Sequence, residues 1–265
     1  MLREEGMEKN TVKKVEFKDG LAINGDSTSR DTLEEVKTWL GEAGGVPLIA
    51  TDPPYGNIVM QHWDRTKLTD DQYADHMIQW TRLWSEALLQ GGAFYVWGGL
   101  GLPNFRPFIK YLTRVEDDNF KMANLITWSK KRAYGVQNNY LFTREECAYF
   151  IKGNPKKPLK FNIPLLETKR GYAGYNEKYP AKSEFYRRTN VWMDINEIFK
   201  GKLHPTQKAD KVVEIPIEVH TDPGDVVIDP FAGSGATAFA ARKLGRKFIV
   251  IEKDEEIFDK MIVRL

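Results

Sequence analysis

The chain has 265 residues, with 39 Lys and Arg against 37 Asp and Glu, a formal net charge of +2. Hydrophobic residues make up 42% and charged residues 29%, which excludes disordered and fibrous classes and allows a sizeable core. A single cysteine, Cys147, excludes a disulfide scaffold. With no apolar run of about 18 residues and no apolar leader, the expected location is the cytoplasm, away from any membrane.

In chain order, Leu21 to Gly25 reads as a short strand. Val46 to Gly56 begins as a buried strand and is stopped by Pro53 and Pro54. From Asp71 to Gln90, apolar residues recur every three or four positions, which predicts an amphipathic helix ended by Gly91 and Gly92. Strands are expected at 93–98, 122–128 and 147–152, with a short helix over 104–114. The stretch 153–203 is rich in proline and glycine and lacks a long period, so it reads as an irregular insertion. A helix from Pro205 toward His220 restores order. A strand at DVVIDP, a helix over 236–244, a strand at 248–252 and a helix over 254–263 complete the chain. Strands alternating with helices predict an α/β fold built on a mostly parallel sheet covered on both faces.

Charge is unevenly spread. Between Lys152 and Lys208 there are 13 Lys and Arg against 5 Asp and Glu, a net of +8, so the rest of the chain carries −6. Eight aromatic residues from Phe161 to Phe199 are interleaved with these cations. That mixture suits a polyanion whose bases can stack, and equally a solvated basic loop. Chemistry elsewhere has to decide.

Two turns carry that chemistry. At Asp225–Gly235, DVVIDPFAGSG, a strand runs into a glycine turn with a helix behind it. Gly233 and Gly235 allow a ligand close to the backbone, and the helix start offers unpaired N–H groups. The next strand ends in Glu252, placed to accept hydrogen bonds from a ribose diol. This spacing also satisfies a dinucleotide pattern, with the acid about 20 residues on, so a nicotinamide or flavin oxidoreductase is a rival. Asp229 argues against it, because a carboxylate in that loop repels a pyrophosphate and attracts a cationic amine. The second turn is Asp52-Pro53-Pro54-Tyr55, where two prolines freeze the backbone. The Asp52 carboxylate and the Pro53 carbonyl can accept the two N–H groups of a planar exocyclic amine, with the Tyr55 ring stacked beneath. That grip bends the amine toward sp³ and makes its lone pair nucleophilic. The bland alternatives are an ordinary strand–turn–helix that uses glycine for packing at the first turn, and a tight turn with a satisfied Asp and a buried Tyr at the second.

Together, and in this order, the motifs make the chain resemble the beta class of S-adenosylmethionine-dependent, amino-methylating DNA methyltransferases. Asn24-Gly25-Asp26, Ile126 to Lys130, Arg144-Glu-Glu and His204-Pro-Thr-Gln-Lys208 also match, so the resemblance runs over roughly residues 20 to 265, weakest over 155 to 200. It implies a Rossmann-like, seven-stranded class I methyltransferase sheet in permuted order. The catalytic domain would comprise 1–152 and 204–265, interrupted by a target-recognition insertion at 153–203, and the strand ending in Glu252 would lie beside the one before Asp26. By resemblance, Asp229 faces the methionine amino group. Phe231, Gly233, Ser234 and Gly235 line the cofactor, Glu252 holds the ribose and Asp26 the adenine amine. Thr206, Gln207 and Lys208 lie by the methionine carboxylate. Asp52, Pro53, Pro54 and Tyr55 grip the target base.

The implied reaction is direct methyl transfer to a base flipped out of double-stranded DNA, leaving S-adenosylhomocysteine. It needs no metal and no covalent intermediate. Asp at the first motif position favours the N6 amine of adenine, whereas Ser is commoner for cytosine N4. The alternatives are cytosine-N4 transfer, a non-catalytic DNA-binding partner of the same fold, and transfer to RNA or to protein glutamine. A homodimer and a restriction endonuclease partner are the expected associations.

Overall fold

The computed structural model describes residues 13–54, 68–99, 105–134, 137–138, 140–170, 174–176, 179–180, 183–196 and 208–265. Tyr55, Thr206 and Gln207 lie outside the described residues.

The chain begins with an antiparallel pair, β1 (Lys13–Phe17) and β2 (Gly20–Asn24), followed by α1 (Arg30–Leu40), β3 (Val46–Thr51), α2 (Asp70–Ser85) and β4 (Leu88–Gly98). Next come α3 (Phe105–Arg114), β5 (Phe120–Tyr134) and β6 (Phe142–Lys152). The insertion holds β7 (Leu165–Lys169), β8 (Gly174–Asn176), β9 (Tyr179–Pro180), β10 (Phe185–Arg187) and β11 (Val191–Trp192). The chain then runs through α4 (Asp210–His220), β12 (Val226–Asp229), α5 (Ala236–Lys243), β13 (Lys247–Glu252) and α6 (Glu255–Arg264). None of the described helices is long and apolar enough to cross a membrane.

The main sheet has the order β1-β2-β13-β12-β3-β4-β6-β5-β11. From β2 to β4 neighbours are parallel; β6 runs antiparallel to both β4 and β5. This is the expected seven-stranded methyltransferase sheet in permuted order, with a short strand added at each edge. The junction anticipated between the two ends of the chain is present, with Glu252 opposite Asn24.

Strand sequences are apolar on both sides because the sheet is covered twice. Phe248 and Val250 of β13 face one core, shared with Val212 and Ile215 of α4, Ala238 of α5 and Met261 of α6. Ile249 and Ile251 face the other, shared with Leu33 of α1, Trp84 of α2 and Phe108 of α3. Each such side chain removed from water contributes about 1.5–3 kcal/mol. Cys147 is fully buried in the first core, as its strand-like setting predicts.

The structure departs from the sequence expectation at several local points. Helix α2 stops at Ser85, because Leu88 pairs with Val46 as the start of β4. Gly91 and Gly92 therefore lie inside a strand, where Gly91 at φ +77° makes room for the backbone of Leu159. Helix α4 starts at Asp210 rather than Pro205. The insertion is more regular than its composition suggests: β7 pairs with β10, β8 with β9, and β11 joins the main sheet beside β5. Strand β1, KKVEF, is too charged to read as a core element and occupies an edge.

Gly98 ends β4 directly under the Phe108 ring, where a Cβ would come within 2.2 Å of Cε2. Phe108 is buried and cannot swing away. Gly98→Ala is expected to cost about 2 kcal/mol through overpacking, read as a melting temperature lower by about 4–8 °C. An unchanged melting temperature would show that the ring has room to shift.

Candidate active site

Between β12 and β3 the sheet changes direction of travel. From β12 the chain crosses through α5 to β13 on one side; from β3 it crosses through α2 to β4 on the other. Such a switch opens a crevice beyond the strand C-termini, the general ligand position in open α/β sheets. Four acids stand along that edge in spatial order: Asp26 after β2, Glu252 ending β13, Asp229 ending β12 and Asp52 after β3. Strand spacing of about 4.8 Å puts the outer two roughly 14 Å apart.

Asp229 is buried and accepts hydrogen bonds from the Thr51 hydroxyl at 2.8 Å, the Thr237 hydroxyl at 2.5 Å and the Phe231 N–H at 3.1 Å. Among the described residues no lysine, arginine or histidine pairs with it. Burial pushes its pKa from 3.8 up to about 6; the three donors oppose this and the Asp52 charge adds to it. The Thr51 bond ties the two motif turns together directly. They are neighbours across one crevice, as the proposed chemistry requires.

Glu252 binds the glycine loop. One oxygen accepts from the Gly233 N–H at 2.9 Å, the other from the Asp254 N–H at 2.8 Å. Burial raises its pKa against those two donors. Gly233 (φ +52°) and Gly235 (φ +81°) adopt left-handed backbone; a Cβ on Gly233 would meet open space, and on Gly235 the Met261 side chain at 2.8 Å. Gly235 caps α5, so the first N–H groups of that helix open toward the crevice. The Phe231 ring packs against Trp80, centroids 5.2 Å apart. At the far end, Asp26 accepts from Thr28 and pairs with Lys253 at 2.7 Å. Burial opposes its ionisation, but Lys253 and Thr28 hold its pKa below the ordinary value.

On the Asp52 side, the Pro54 carbonyl accepts from the Tyr73 hydroxyl at 3.1 Å, which braces the rigid turn from α2. Lys208 is 8% exposed, and its ammonium lies 2.8 Å from Asp52 Oδ2 and 2.8 Å from Glu145 Oε2. It also sits over the Trp97 ring, 4.7 Å from the centroid. Glu145 takes a second cation, Lys130. Thr51, Tyr73, Trp97, Lys130 and Glu145 were not singled out from sequence. Of these, Thr51 adjoins the Asp52 turn, and Lys130 and Glu145 belong to the matching segments Ile126 to Lys130 and Arg144-Glu-Glu.

The basic stretch is partly self-paired. Arg188 binds Asp194 through both terminal nitrogens and Lys160 pairs with Asp222. Arg170 lies over Tyr186 and Arg187 over Phe161, at 5.6 and 5.9 Å. Some of the interleaving that suggested base stacking therefore joins the insertion's own side chains.

A row of carboxylates can hold an elongated ligand that presents hydrogen-bond donors and a cation. Its glycine loop admits that ligand close to the backbone, beside a braced turn aimed at a second molecule.

Known proteins agree with this architecture. A family model described as DNA methylase, of the N6/N4 methyltransferase type, matches residues 46–264. The type II methyltransferase M2.LlaDCHI of Lactococcus lactis subsp. cremoris is 28% identical over 257 residues, covering 91% of this chain and 87% of its own. The PvuII DNA methyltransferase (cytosine-N4-specific) superposes with a TM-score of 0.69 at 20% identity, covering 93% of this chain and 86% of its own. The M1.HpyAVI–SAM complex superposes with a TM-score of 0.60 at 24% identity, covering 92% and 98%. The chain belongs to the N6/N4 family of DNA methylases.

Proposed function

We propose that the protein is a site-specific methyltransferase that uses S-adenosylmethionine to methylate the N6 amine of an adenine flipped out of double-stranded DNA. The observation that carries this reading is the order Asp26, Glu252, Asp229, Asp52 along one sheet edge, with the last two joined through Thr51.

The crevice fits that cofactor. Asp229 is a buried carboxylate with no cation among the described residues, and the methionine ammonium would supply one. Glu252 and the Gly233 loop would take the ribose, and Asp26 the adenine amine. S-adenosylmethionine supplies a sulfonium methyl that is electrophilic without a metal. The chain's own work is to position and to accept. Asp52 Oδ1 or Oδ2 and the Pro53 carbonyl take the N–H groups of the target amine, drawing its lone pair out of the ring system. As the N–C bond forms, the nitrogen gains positive charge, and these acceptors, fixed by two prolines and Tyr73, stabilise it. The proton then leaves the nitrogen for Asp52 or solvent. An amine inside a duplex is out of reach of this turn, so the base must leave the stack. The cations of the insertion that lack internal partners would contact phosphates.

Asp52, rather than Ser, at the first position of the turn supports adenine. A type II restriction-modification setting is expected, since M2.LlaDCHI is a type II methyltransferase. The test is incubation with labelled S-adenosylmethionine and unmethylated duplex DNA, digestion and nucleoside analysis. Label in N6-methyladenine is expected; label confined to N4-methylcytosine would overturn the choice of base, and label only in RNA or protein the choice of substrate.

A further inference from the structure

Lys208 is a buried cation on the target-base side of the crevice, and its surroundings come from four strands. Asp52 follows β3, Trp97 lies on β4, Glu145 and Cys147 on β6, and Lys130 on β5. The ammonium bonds Asp52 and Glu145 at 2.8 Å each and rests over the Trp97 face. Glu145 is in turn bound by Lys130. Among the described residues, Asp229 is another charge close to Asp52.

We propose that Lys208 is the positioning residue of Asp52: it clamps the carboxylate at the tip of β3, and Glu145, held by Lys130, anchors the clamp. The inference rests on the reading that Asp52 receives the target amine.

Three observations carry it. First, the clamp reaches Asp52 from the segment leading into α4 and is braced on β6, so the carboxylate's direction is set by parts of the fold outside the proline turn. Second, Lys208 and Glu145 stay charged. Burial opposes the Lys208 ammonium, but Asp52 and Glu145 more than reverse this and raise its pKa. Burial likewise opposes the Glu145 carboxylate, but Lys208 and Lys130 bring its pKa down to about 2. Third, an ammonium already bonded to two carboxylates gains little from a third, and two nearby negative charges repel an incoming one. The methionine carboxylate is therefore a poor additional partner for Lys208. Taking such a network out of water is costly, and hydrophobic replacements are often as stable. A function in orienting Asp52 accounts for keeping it.

The test uses the full chain, with Lys208→Met, Lys208→Arg and Glu145→Gln. S-adenosylmethionine affinity is read by calorimetry, kcat at saturating cofactor, and folding by thermal melting. Lys208→Met is expected to bind cofactor within about threefold of the unaltered protein and to lose at least about 30-fold in kcat. Lys208→Arg restores part of kcat. Glu145→Gln loses kcat less steeply, with cofactor affinity unchanged, and decides the matter if Lys208→Met does not fold. A cofactor affinity at least about tenfold weaker with kcat unchanged would overturn the proposal and place Lys208 at the methionine carboxylate. Unchanged kcat in both Lys208→Met and Glu145→Gln would overturn it as well. Absence of methyl transfer by the unaltered protein would instead defeat the functional reading, and this inference with it.

Discussion

Replacing Asp52 by alanine is expected to lower kcat by about 100- to 1000-fold while leaving S-adenosylmethionine affinity within about threefold. The separation follows from position. Asp52 lies one residue beyond β3, on the side of the crevice away from Glu252 and the Gly233 loop, so the cofactor surface stays in place. What goes is an acceptor directed at a nitrogen that becomes positive only as the N–C bond forms, and such interactions act on kcat rather than on ground-state binding. A loss of this size corresponds to roughly 3–4 kcal/mol of barrier. Alanine also removes one carboxylate partner of the buried Lys208 ammonium, which lowers stability. Asp52→Asn separates the two effects: it keeps a carbonyl acceptor and the shape of the side chain while losing the charge, so its kcat should fall between alanine and the native residue. Single-turnover methyl transfer, calorimetric cofactor titration and thermal melting check the three parts. Native kcat in Asp52→Ala would remove this carboxylate from the chemistry.

What the sequence shows of this site, and what it hides, follows from the physics of strands. Glu252, Asp229 and Asp52 each end or follow an apolar run, because a buried strand has to stop where polar chemistry starts. Such ends are legible one at a time. Their spatial order, 26-252-229-52, is not, since it depends on β13 slipping between β2 and β12; the two motif turns needed the resemblance to be brought together. The end of α2 was misread because Ala87 and Leu88 suit both a helical stripe and a buried strand, and only pairing with Val46 decides between them. The Lys208 clamp is invisible for a related reason. Its members are far apart along the chain, and in sequence the resemblance places Lys208 by the methionine carboxylate rather than beside Asp52 and Glu145. Its burial against Asp52 and Glu145 is a purely tertiary fact. Likewise, Arg188 and Lys160 add to the charge of the insertion in sequence, while in the fold each is engaged by an aspartate.

Cofactor affinity is expected to fall as pH drops through about 6, the value to which Asp229 is raised. The main cause is burial; the donors Thr237, Thr51 and Phe231 N–H favour the ionised form but do not restore the ordinary value of 3.8. Above pH 6 the carboxylate is charged and attracts the methionine ammonium. Bound cofactor then stabilises that charge, so the pKa in the complex lies below that of the unliganded protein. Between the two values binding must expel a proton, and affinity falls by about tenfold per pH unit at the limiting slope. From pH 7 to pH 5 a loss of about tenfold is expected. An α-amino group remains protonated below about pH 7.5, so the ligand does not mask the effect over that range. Asp229→Asn should abolish the dependence and bind about a hundredfold more weakly at pH 7, the scale of a hydrogen bond between charged groups in a buried site. Stability of the unliganded protein should run the other way. The folded state holds a proton on Asp229 between pH 3.8 and about 6 that the unfolded chain releases, so this group stabilises the fold as pH falls from 7 to 5, opposite to an ordinary paired carboxylate. Calorimetric titrations from pH 5 to 7.5, with melting curves of both proteins alongside, measure the two trends together. A flat affinity profile in the native protein, or the same slope in Asp229→Asn, would take the methionine ammonium away from Asp229.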